Sequence, residues 1–475
     1  MPAPVYITGP AGTGKTTKLL ERTAAYARDL LTQPHQQLLA MAYMHGARRR
    51  LESSLDEDNE CSRVPRTVST IDSFALTLLN RWRTALGITL PVCAAPARCT
   101  QRFEQHGRLY LPFAEITSSA ANLLANSTVA RIIASSYPLV VIDEFQDCTG
   151  GKLDLVCALA GASQLILAAD PFQLLAGDVI GCPAVEWVES LGSEGLREHH
   201  RLTEPWRFAN LKIFSAARAL REPGCLASQT VPLYYGPALP AAWRIMERLL
   251  LGWYGSRWTG TTALICPSSG GVIDDVLKLL AEQTSKHGYT PIRWTRQGTS
   301  EDELASLYEA LGVTSDHLDE SDWQPTTEFS RQYAAEVADR AYRFAHLRGL
   351  ERIPKCLISS LAEQVIHASR AHSRRSARFV ATTVHGAKNC QFDNVCVLWS
   401  YQIPPDTELQ RRLLYNAVTR AKMNCIIFDT RKKDIATNDA IVTLLGSPKP
   451  TFEKKSKVRK PPQRASTKVG RTPKI

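Results

Sequence analysis

The chain contains the stretch Gly9-Pro10-Ala11-Gly12-Thr13-Gly14-Lys15-Thr16, which fits the pattern G-x-x-x-x-G-K-[ST]. It follows a strand-like run that ends at Thr8 and precedes a helical pattern, the context that a phosphate-binding loop requires. The glycines let backbone N–H groups approach phosphates at a helix N-terminus. We expect Lys15 to reach the β and γ phosphates, Thr16 to ligate Mg²⁺, and Thr17 to complete the nucleotide site. Alone, this stretch indicates only a P-loop nucleotidase.

A second signal is the stretch Val140-Val141-Ile142-Asp143-Glu144-Phe145-Gln146-Asp147, an apolar run that ends in adjacent carboxylates. This pattern is typical of a buried parallel strand whose carboxyl end meets a ligand. We expect Asp143 to hold Mg²⁺ through water. Glu144, beside the metal, is expected to polarise an attacking water as a general base.

The wider pattern alternates short β-branched or aliphatic runs with helical segments, which predicts an α/β fold with helices covering parallel sheets. Two such patterns are present, so two α/β domains are expected. The predicted strands are Val5 to Thr8, Leu38 to Tyr43, Thr67 to Thr70, Leu139 to Asp143 and Gln164 to Ala169 in the first pattern, and Thr262 to Cys266, Phe379 to Val384, Asn394 to Trp399 and Asn424 to Asp429 in the second. The predicted boundaries are as follows: a first domain over 1–206 with an insertion at about 82–137, a second domain over 207–446 with an insertion at about 284–378, and a tail over 447–475. Both insertions are expected to be mainly polar and helical.

Composition excludes several other classes. The sequence is 44% hydrophobic and 22% charged, as in a soluble globular protein, and no apolar run approaches the roughly 20 residues of a membrane span. The N-terminus lacks the basic and apolar segments of a secretory signal, so no membrane partner and a cytoplasmic location are expected. Twelve cysteines without a C-x2-C pair favour scattered thiols over zinc or disulfide sites.

The C-terminal segment from Ser447 to Ile475 holds ten Lys or Arg residues against one acidic residue, Glu453, and so carries +9 of the chain's net +11. Its Pro-, Lys- and Ser-rich composition predicts disorder, because it cannot bury enough apolar surface to fold alone. Two interpretations remain open: a non-specific nucleic-acid phosphate binder, or a solubilising tail.

The sequence D-E-F-Q-D at 143–147 resembles motif II of the UvrD, Rep and PcrA group of superfamily 1 DNA helicases. Further motifs follow in family order. Tyr43 occupies the position of an aromatic residue that stacks on a DNA base, and the stretch Thr70 to Phe74 is similar to a T-F-H-S motif, with Thr70 and Ser73 implied to contact DNA. Gln173, in A-D-P-F-Q, is implied to sense the γ-phosphate.

The resemblance continues into the second half of the chain. The segment from Leu196 to Arg201 resembles motif IV, which implies that Arg201 contacts the γ-phosphate and that His200 replaces an adenine-stacking tyrosine. The stretch T-V-H-G-A-K at 383–388 is similar to motif V, with His385 implied to contact DNA. The stretch L-Y-N-A-V-T-R-A-K at 414–422 is similar to motif VI, so Arg420 is implied to act as an arginine finger.

The resemblance therefore implies two RecA-like domains, ATP and Mg²⁺ as cofactors, and a catalytic set of Glu144, Arg420, Gln173 and Arg201. It implies a single-stranded DNA translocase or helicase that moves 3′ to 5′ in DNA repair, recombination or replication. We expect the helix that carries motif VI to run from Thr407 to Lys422.

The chain departs from the family in several places, which supports an alternative. The aromatic platform that usually follows motif III is replaced by the sequence L-L-A-G-D at 174–178, the insertions are short, and Asn389 and Gln391 replace the usual motif V residues. The alternative is an ATP switch that binds DNA as a subunit of a nuclease, repair or phage-defence complex. The arginines at 370, 374, 375 and 378 are equally consistent with a DNA channel and a solvated helix face. A small-molecule kinase explains neither Gln173 nor motifs V and VI.

Overall fold

We describe the protein from a computed structural model. The structure describes residues 2–451 except for 96–98, 106, 176–180, 205–209, 223, 253–256, 268–270, 297–316, 319–334, 344–345, 347–352, 355–357, 359–360, 363–364, 366–376, 389 and 401–406. The predicted domain boundary at 206, most of the second insertion and the tail beyond residue 451 lie outside this part of the chain.

The first half is built on a six-stranded sheet in which every neighbouring pair of strands is parallel. Its central strands are fully buried apolar runs, as expected for a sheet covered on both faces. The strands are β1 (Val5–Thr8), β2 (Leu38–Ala42), β3 (Arg66–Thr70), β7 (Leu139–Asp143), β8 (Gln164–Ala169) and β9 (Glu198–Arg201). Their order across the sheet is β3-β2-β7-β8-β1-β9. The carboxyl ends of β1, β7 and β8 therefore lie side by side, which is where the candidate motifs begin.

Helices cover both faces of this sheet. They are α1 (Lys15–Leu30), α2 (His45–Glu57), α3 (Ile71–Trp82), α4 (Phe113–Leu124), α5 (Ser127–Ser136), α6 (Gly151–Ala160) and α7 (Pro183–Ser190). On one face, α1 and α2 pack Leu19, Leu51 and Leu55 against β1 and β7. On the other face, α3, α4 and α6 form a separate apolar cluster. Short 3₁₀ turns at Phe145–Asp147 and Pro171–Gln173 directly follow the strand ends at β7 and β8.

The first predicted insertion differs from the expectation of a mainly helical segment. A small three-stranded sheet comprises β4 (Val92–Ala94), β5 (Phe103–Gln105) and β6 (Arg108–Leu111). The segment after it is helical, but α4 is not a peripheral addition, because Ile116 and Ala120 are fully buried in the main core. The alternating apolar and polar residues of the short strands are too few to have given a clear period-2 signal.

The second half is built on a seven-stranded parallel sheet. Its strands are β10 (Leu233–Tyr235), β11 (Thr262–Cys266), β12 (Thr295–Arg296), β15 (Phe379–Thr383), β16 (Phe392–Trp399), β17 (Ala421–Asp429) and β18 (Lys449–Pro450). Their order is β12-β15-β11-β16-β17-β10-β18. A separate antiparallel pair comprises β13 (His317–Leu318) and β14 (Ile353–Pro354). The α/β architecture with two parallel sheets confirms the expected fold class of two RecA-like domains.

The helices of the second half are α8 (Leu211–Arg221), α9 (Ala238–Met246), α10 (Gly271–Lys286), α11 (Thr407–Val418) and α12 (Lys433–Asn438). A π-helical turn at Glu247–Leu251 extends α9, and a 3₁₀ turn covers Val442–Leu445. The strand β18 falls inside the segment predicted as a tail. It pairs with β10, and Thr451 donates its backbone N–H to Tyr235, so the fold continues to at least residue 451.

The two halves share one apolar cluster. Phe172 and Leu175 from the first half pack with Leu413 and Tyr415 of α11. The rings of Phe172 and Tyr415 meet edge to face, with their centroids 5.0 Å apart. Through this contact, the carboxyl ends of strands from both sheets lie at one cleft.

Two further expectations concern composition. No helix in the described ranges combines the length and apolarity that crossing a membrane demands. Every cysteine that the structure describes is a free thiol, as the sequence predicted.

Candidate active site

The G-x-x-x-x-G-K-[ST] stretch forms the loop between β1 and α1. Gly14 caps α1 with φ 85°, a left-handed conformation that glycine adopts without strain. Gly9 is close to Leu202, whose carbonyl oxygen would lie 2.6 Å from an added Cβ. The loop borders a cavity of about 210 Å³, lined by Ala11, Gly12, Gly14, Lys15, Thr16, Thr17, Leu20, Arg50, Ser54, Asp143, Glu144, Gln173 and Arg420. The structure thus brings together most of the residues predicted for nucleotide and metal.

The loop lysine lies at the base of this cavity. Lys15 Nζ donates to the carbonyl oxygens of Gly9 and Pro10 at 2.8 and 3.0 Å and lies 3.8 Å from Asp170 Oδ2. Thr13, which is buried, donates its hydroxyl to Pro10 and stabilises the loop. Burial alone would raise the pKa of Asp170, but the Lys15 and Arg221 cations hold that pKa below its usual value. Asp170 therefore remains an anion beside the loop lysine.

Thr16 and Asp143 are neighbours in the lining of the cavity, where Thr16 Oγ1 lies 3.5 Å from Asp143 Oδ2. A hydroxyl and a carboxylate at a phosphate-binding loop are the hard oxygen ligands that Mg²⁺ takes together with phosphate and water. These residues therefore fit a Mg²⁺ ion. Burial, and then the neighbouring Glu144 charge, raise the pKa of Asp143.

Glu144 has an unusual backbone. In the described ranges it is the single non-glycine residue with a clearly positive φ, at 56°, a conformation that costs about 1–3 kcal/mol and is found at functional sites. Its carboxylate accepts a hydrogen bond from Gln146 Nε2 at 2.6 Å. Burial would raise the pKa of Glu144, but Lys388 and Lys15 outweigh it and lower the pKa. The side chain is thus held as a carboxylate that lines the cavity.

Arg420 reaches the same cavity from the second half of the chain. Its guanidinium is 3% exposed and donates to Gln173 Oε1 at 2.9 Å. Gln173 in turn donates to Asp170 Oδ2 at 2.8 Å. The position of Arg420 differs from the expectation, since α11 ends at Val418 rather than at Lys422, and Ala421 already begins β17. Thr419 donates its hydroxyl back to Tyr415, which closes the helix and leaves Arg420 in the connecting turn.

Two interdomain links at this site are not evident from the motifs taken singly. Lys388 Nζ forms a buried ion pair with Asp147 Oδ1 at 2.5 Å, so the last acid of D-E-F-Q-D bonds the last lysine of T-V-H-G-A-K. The Tyr415 hydroxyl accepts a hydrogen bond from the Ala11 N–H at 2.8 Å and donates to Asp170 Oδ2 at 3.1 Å.

A third link comes from α8. Arg221 Nη1 lies 2.5 Å from Asp170 Oδ1, and its guanidinium lies near the rings of Phe172 and Tyr415. Asp170 therefore joins Lys15, Gln173, Tyr415 and Arg221. Sequence reasoning missed this centre, because its members are distant in the chain, with Tyr415 alone 245 residues from Asp170.

The structure does not bring His200 and Arg201 to this cavity. His200 Nε2 lies 2.6 Å from Glu198 Oε2 on β9. Arg201 is exposed and lines a different cavity of about 430 Å³ with Tyr6, Pro171 and His199, on the opposite face of the sheet from α1. Alternation along β9 separates the two side chains. Their implied roles on the base and the γ-phosphate stay predictions that this geometry does not favour.

The predicted DNA contacts are dispersed. The ring of Tyr43 lies 4.1 Å from Lys152 Nζ, which also pairs with Asp72. Thr70 is 3% exposed and caps α3, where it accepts the Ser73 N–H at 3.1 Å. Ser73 and His385 are exposed. Thr70 is therefore occupied by the fold, Tyr43 is half-buried beneath Lys152, and Ser73 and His385 are exposed.

Among the arginines considered for a DNA channel, Arg378 is exposed at the start of β15, and 370, 374 and 375 lie outside the described residues. Asn389, one of the two departures in motif V, lies outside them as well.

Comparisons with known proteins agree with this arrangement. A family described as an AAA domain matches residues 1–177, and a family described as a UvrD-like helicase C-terminal domain matches residues 378–428. The second match contains Arg420, which completes the lining of the cavity, and Lys388, which pairs with Asp147 of the first match. The chain is therefore similar to UvrD-like helicases.

Curated proteins give no match to this UvrD-like chain. Among solved structures, one titled "The structure of PRRSV helicase" is similar over 90% of this chain and 53% of that chain, at 10% identity and a TM-score of 0.35. The UvrD-like chain thus spans about half the length of that helicase.

Proposed function

We propose that this protein binds ATP with Mg²⁺ and hydrolyses it to move along single-stranded DNA, in the 3′ to 5′ direction. The observation that carries the proposal is the composite cavity. Lys15, Thr16, Asp143 and Glu144 approach it from the first domain, and Arg420 approaches it from the second. A site divided in this way hydrolyses fastest when the domains are together, which is the requirement of a motor driven by domain closure.

Each side chain has a role that its position supports. The P-loop N–H groups and Lys15 bind the phosphates, while Thr16 and Asp143 would hold Mg²⁺, which neutralises phosphate charge when bound. Glu144, fixed by Gln146, accepts a proton from the attacking water. Arg420 stabilises charge on the transferring phosphoryl group.

The contacts between the domains provide the coupling. Gln173 touches both Arg420 and Asp170, and Asp170 also lies near Lys15, so a change at the phosphates reaches Arg420, in the turn after α11, through two hydrogen bonds. The Lys388–Asp147 pair connects motif V, whose His385 is exposed, to the carboxylate end of β7. The phosphates bound at the site and the affinity for the DNA strand can therefore influence each other, and thermodynamic linkage requires that this influence be reciprocal.

Translocation can be tested by displacement of streptavidin from biotinylated single-stranded oligonucleotides. We expect ATP-dependent displacement that is faster from a 5′ biotin than from a 3′ biotin, because a 3′ to 5′ motor runs into the 5′ end. Lys15→Ala is the matched inactive control. Displacement that is equal at both ends would contradict the direction, and none at either end would contradict translocation.

One observation favours a second candidate, the ATP switch that serves a nuclease, repair or defence partner. Leu174 and Leu175, which stand where relatives usually place stacking aromatics, are only 2% and 6% exposed and contribute to apolar packing instead. Stacking contributes about 1–3 kcal/mol per base, so a missing platform weakens strand grip. DNA-stimulated ATPase without streptavidin or duplex displacement would support the switch.

A further inference from the structure

The helix α2 connects the DNA-facing residue Tyr43 to the phosphate cavity. It begins at His45, directly after β2 and the Tyr43–Met44 connection. Leu51 and Leu55, on one face, are buried against α1 and β1 and fix the helix in place. Arg50 and Ser54, four residues apart and so on a shared face, line the phosphate cavity.

Arg50 differs from its neighbours Arg48 and Arg49 because it lines the phosphate cavity, whereas Arg49 is equally half-buried outside that lining. Arg48 pairs with Glu52 at 3.1 Å within α2. Arg50 is half-buried and makes no hydrogen bond or ion pair with any residue that the structure describes. Asp143 and Glu144 attract the Arg50 cation through space, but a partly desolvated guanidinium that makes no direct hydrogen bond or ion pair is unfavourable, because the loss of its hydration is only partly compensated. The position is therefore suited to an anion that is not part of the protein.

The electrostatics of the cavity point the same way. Burial is the main reason that the pKa of Arg420 is lowered; the Glu144 carboxylate opposes this shift, and the positive charge of Arg50 adds to it. Two guanidinium groups thus face one cavity from different domains and repel each other. An anion between them would relieve the repulsion and satisfy both.

We propose that Arg50 binds the terminal phosphate of a nucleoside triphosphate from the first domain, on the opposite side from Arg420. Arg50 then distinguishes a nucleoside triphosphate from a diphosphate in the ground state. The family resemblance implied Arg201 for this contact with the γ-phosphate. The inference rests on the proposed function for the identity of the ligand. Because α2 starts beside Tyr43, this contact also places the triphosphate against the middle of a helix that begins next to a predicted DNA contact.

The test compares affinities for AMP-PNP and ADP, both with Mg²⁺, in the full-length protein and three variants. Arg50→Ala should weaken AMP-PNP binding about 10- to 100-fold, the range of a lost hydrogen bond to a charged group, while ADP binding changes less than about twofold. Arg50→Lys should be intermediate, because it keeps the charge but loses the planar fork. Arg49→Ala is the matched control, since Arg49 is a half-buried neighbour outside the lining of the cavity.

Equal weakening of AMP-PNP and ADP by Arg50→Ala, or no weakening of either, would overturn the inference. Thermal unfolding of each variant shows whether the fold is kept, and the Arg50→Lys series decides the question if the alanine variant unfolds. The outcome is separable from the proposed function. If single-stranded DNA does not change the wild-type ATPase rate, the motor is contradicted, but a role of Arg50 in selecting the triphosphate can still hold. If DNA stimulates the ATPase and the Arg50 variants bind AMP-PNP and ADP as the wild type does, the motor is supported and the role of Arg50 is overturned.

Discussion

The proposed phosphate site and the proposed DNA contacts of this protein are organised differently. On the phosphate side, Lys15, Asp143, Glu144 and Arg420 converge on one cavity from four positions in the chain. On the DNA side, the predicted residues are spread over the surface, and Thr70 is buried as a helix cap. Phosphate chemistry needs groups fixed within hydrogen-bond distance of one point. Strand binding needs only a charged and partly aromatic surface, so its residues are less tightly specified.

The largest effect expected from this contrast is at Arg420. Arg420→Ala should lower DNA-stimulated turnover by about 10³- to 10⁵-fold, the contribution of an arginine finger, with a much smaller change in ATP affinity. Arg420→Lys should not restore full activity, because an ammonium lacks the planar fork. Lys422→Ala is the control, since Lys422 is exposed two residues further on. Normal turnover in both Arg420 variants at saturating DNA would make Arg420 a structural residue.

The next effect is at Glu144. Glu144→Gln should reduce hydrolysis by about 10²- to 10⁴-fold, the usual contribution of a general base, and keep ATP binding because the phosphate loop is untouched. The amide is isosteric, so the strained backbone at this position should be retained. Single-turnover hydrolysis measured beside equilibrium ATP binding checks this. A variant that loses nucleotide binding would show that Glu144 holds the site rather than acting in the chemistry.

A smaller effect is expected on the DNA side, at Tyr43. Tyr43→Ala should weaken single-stranded DNA binding by about 5- to 150-fold, the range of one stacked base, and leave the DNA-saturated ATPase rate unchanged. Tyr43→Phe should bind nearly as well as wild type, since it keeps the ring. Fluorescence anisotropy with a labelled oligonucleotide gives both affinities. If alanine and phenylalanine variants bind alike, the ring serves only its contact with Lys152.

The smallest effect tests the link between the domains. Tyr415→Phe removes the hydroxyl that bridges Ala11 and Asp170 and keeps the ring that packs on Phe172. Hydrogen bonds of this kind contribute about 0.5–1.5 kcal/mol, so turnover at saturating ATP and DNA should fall about 3- to 10-fold. A loss confined to thermal stability, with unchanged turnover, would mean that the bridge only packs the interface.

Much of the fold was predictable because its strands are strongly apolar. The strands at Val5–Thr8, Leu139–Asp143, Gln164–Ala169 and Thr262–Cys266 have the bounds that the sequence predicts. The strand β16 begins at Phe392, earlier than the predicted Asn394, because Phe392 pairs with Ala421 and donates its N–H to the Arg420 carbonyl at 2.9 Å. Such pairing depends on tertiary contacts that no local pattern contains.

The candidate site was predictable only where a motif fixes its own geometry. The loop at Gly9 to Thr16 and the acids after β7 are positioned by adjacent backbone, so their meeting follows from strand order. Arg221 and Arg50 carry no motif, and they reach the site through the packing of α8 and α2. Arg201 shows the converse, since one residue of alternation along β9 places its side chain on the other face of the sheet.

DNA is proposed to stimulate ATP hydrolysis at a cavity that two domains complete. The most direct test is the ATPase rate of the wild-type protein titrated with single-stranded DNA. We expect a saturable rise in turnover, with Lys15→Ala inactive at every DNA concentration, because strand binding favours the closed arrangement that brings Arg420 to the phosphates. A wild-type rate that is measurable without DNA and unchanged by it, up to concentrations at which DNA binding is complete, would contradict the coupling between the two domains and the strand.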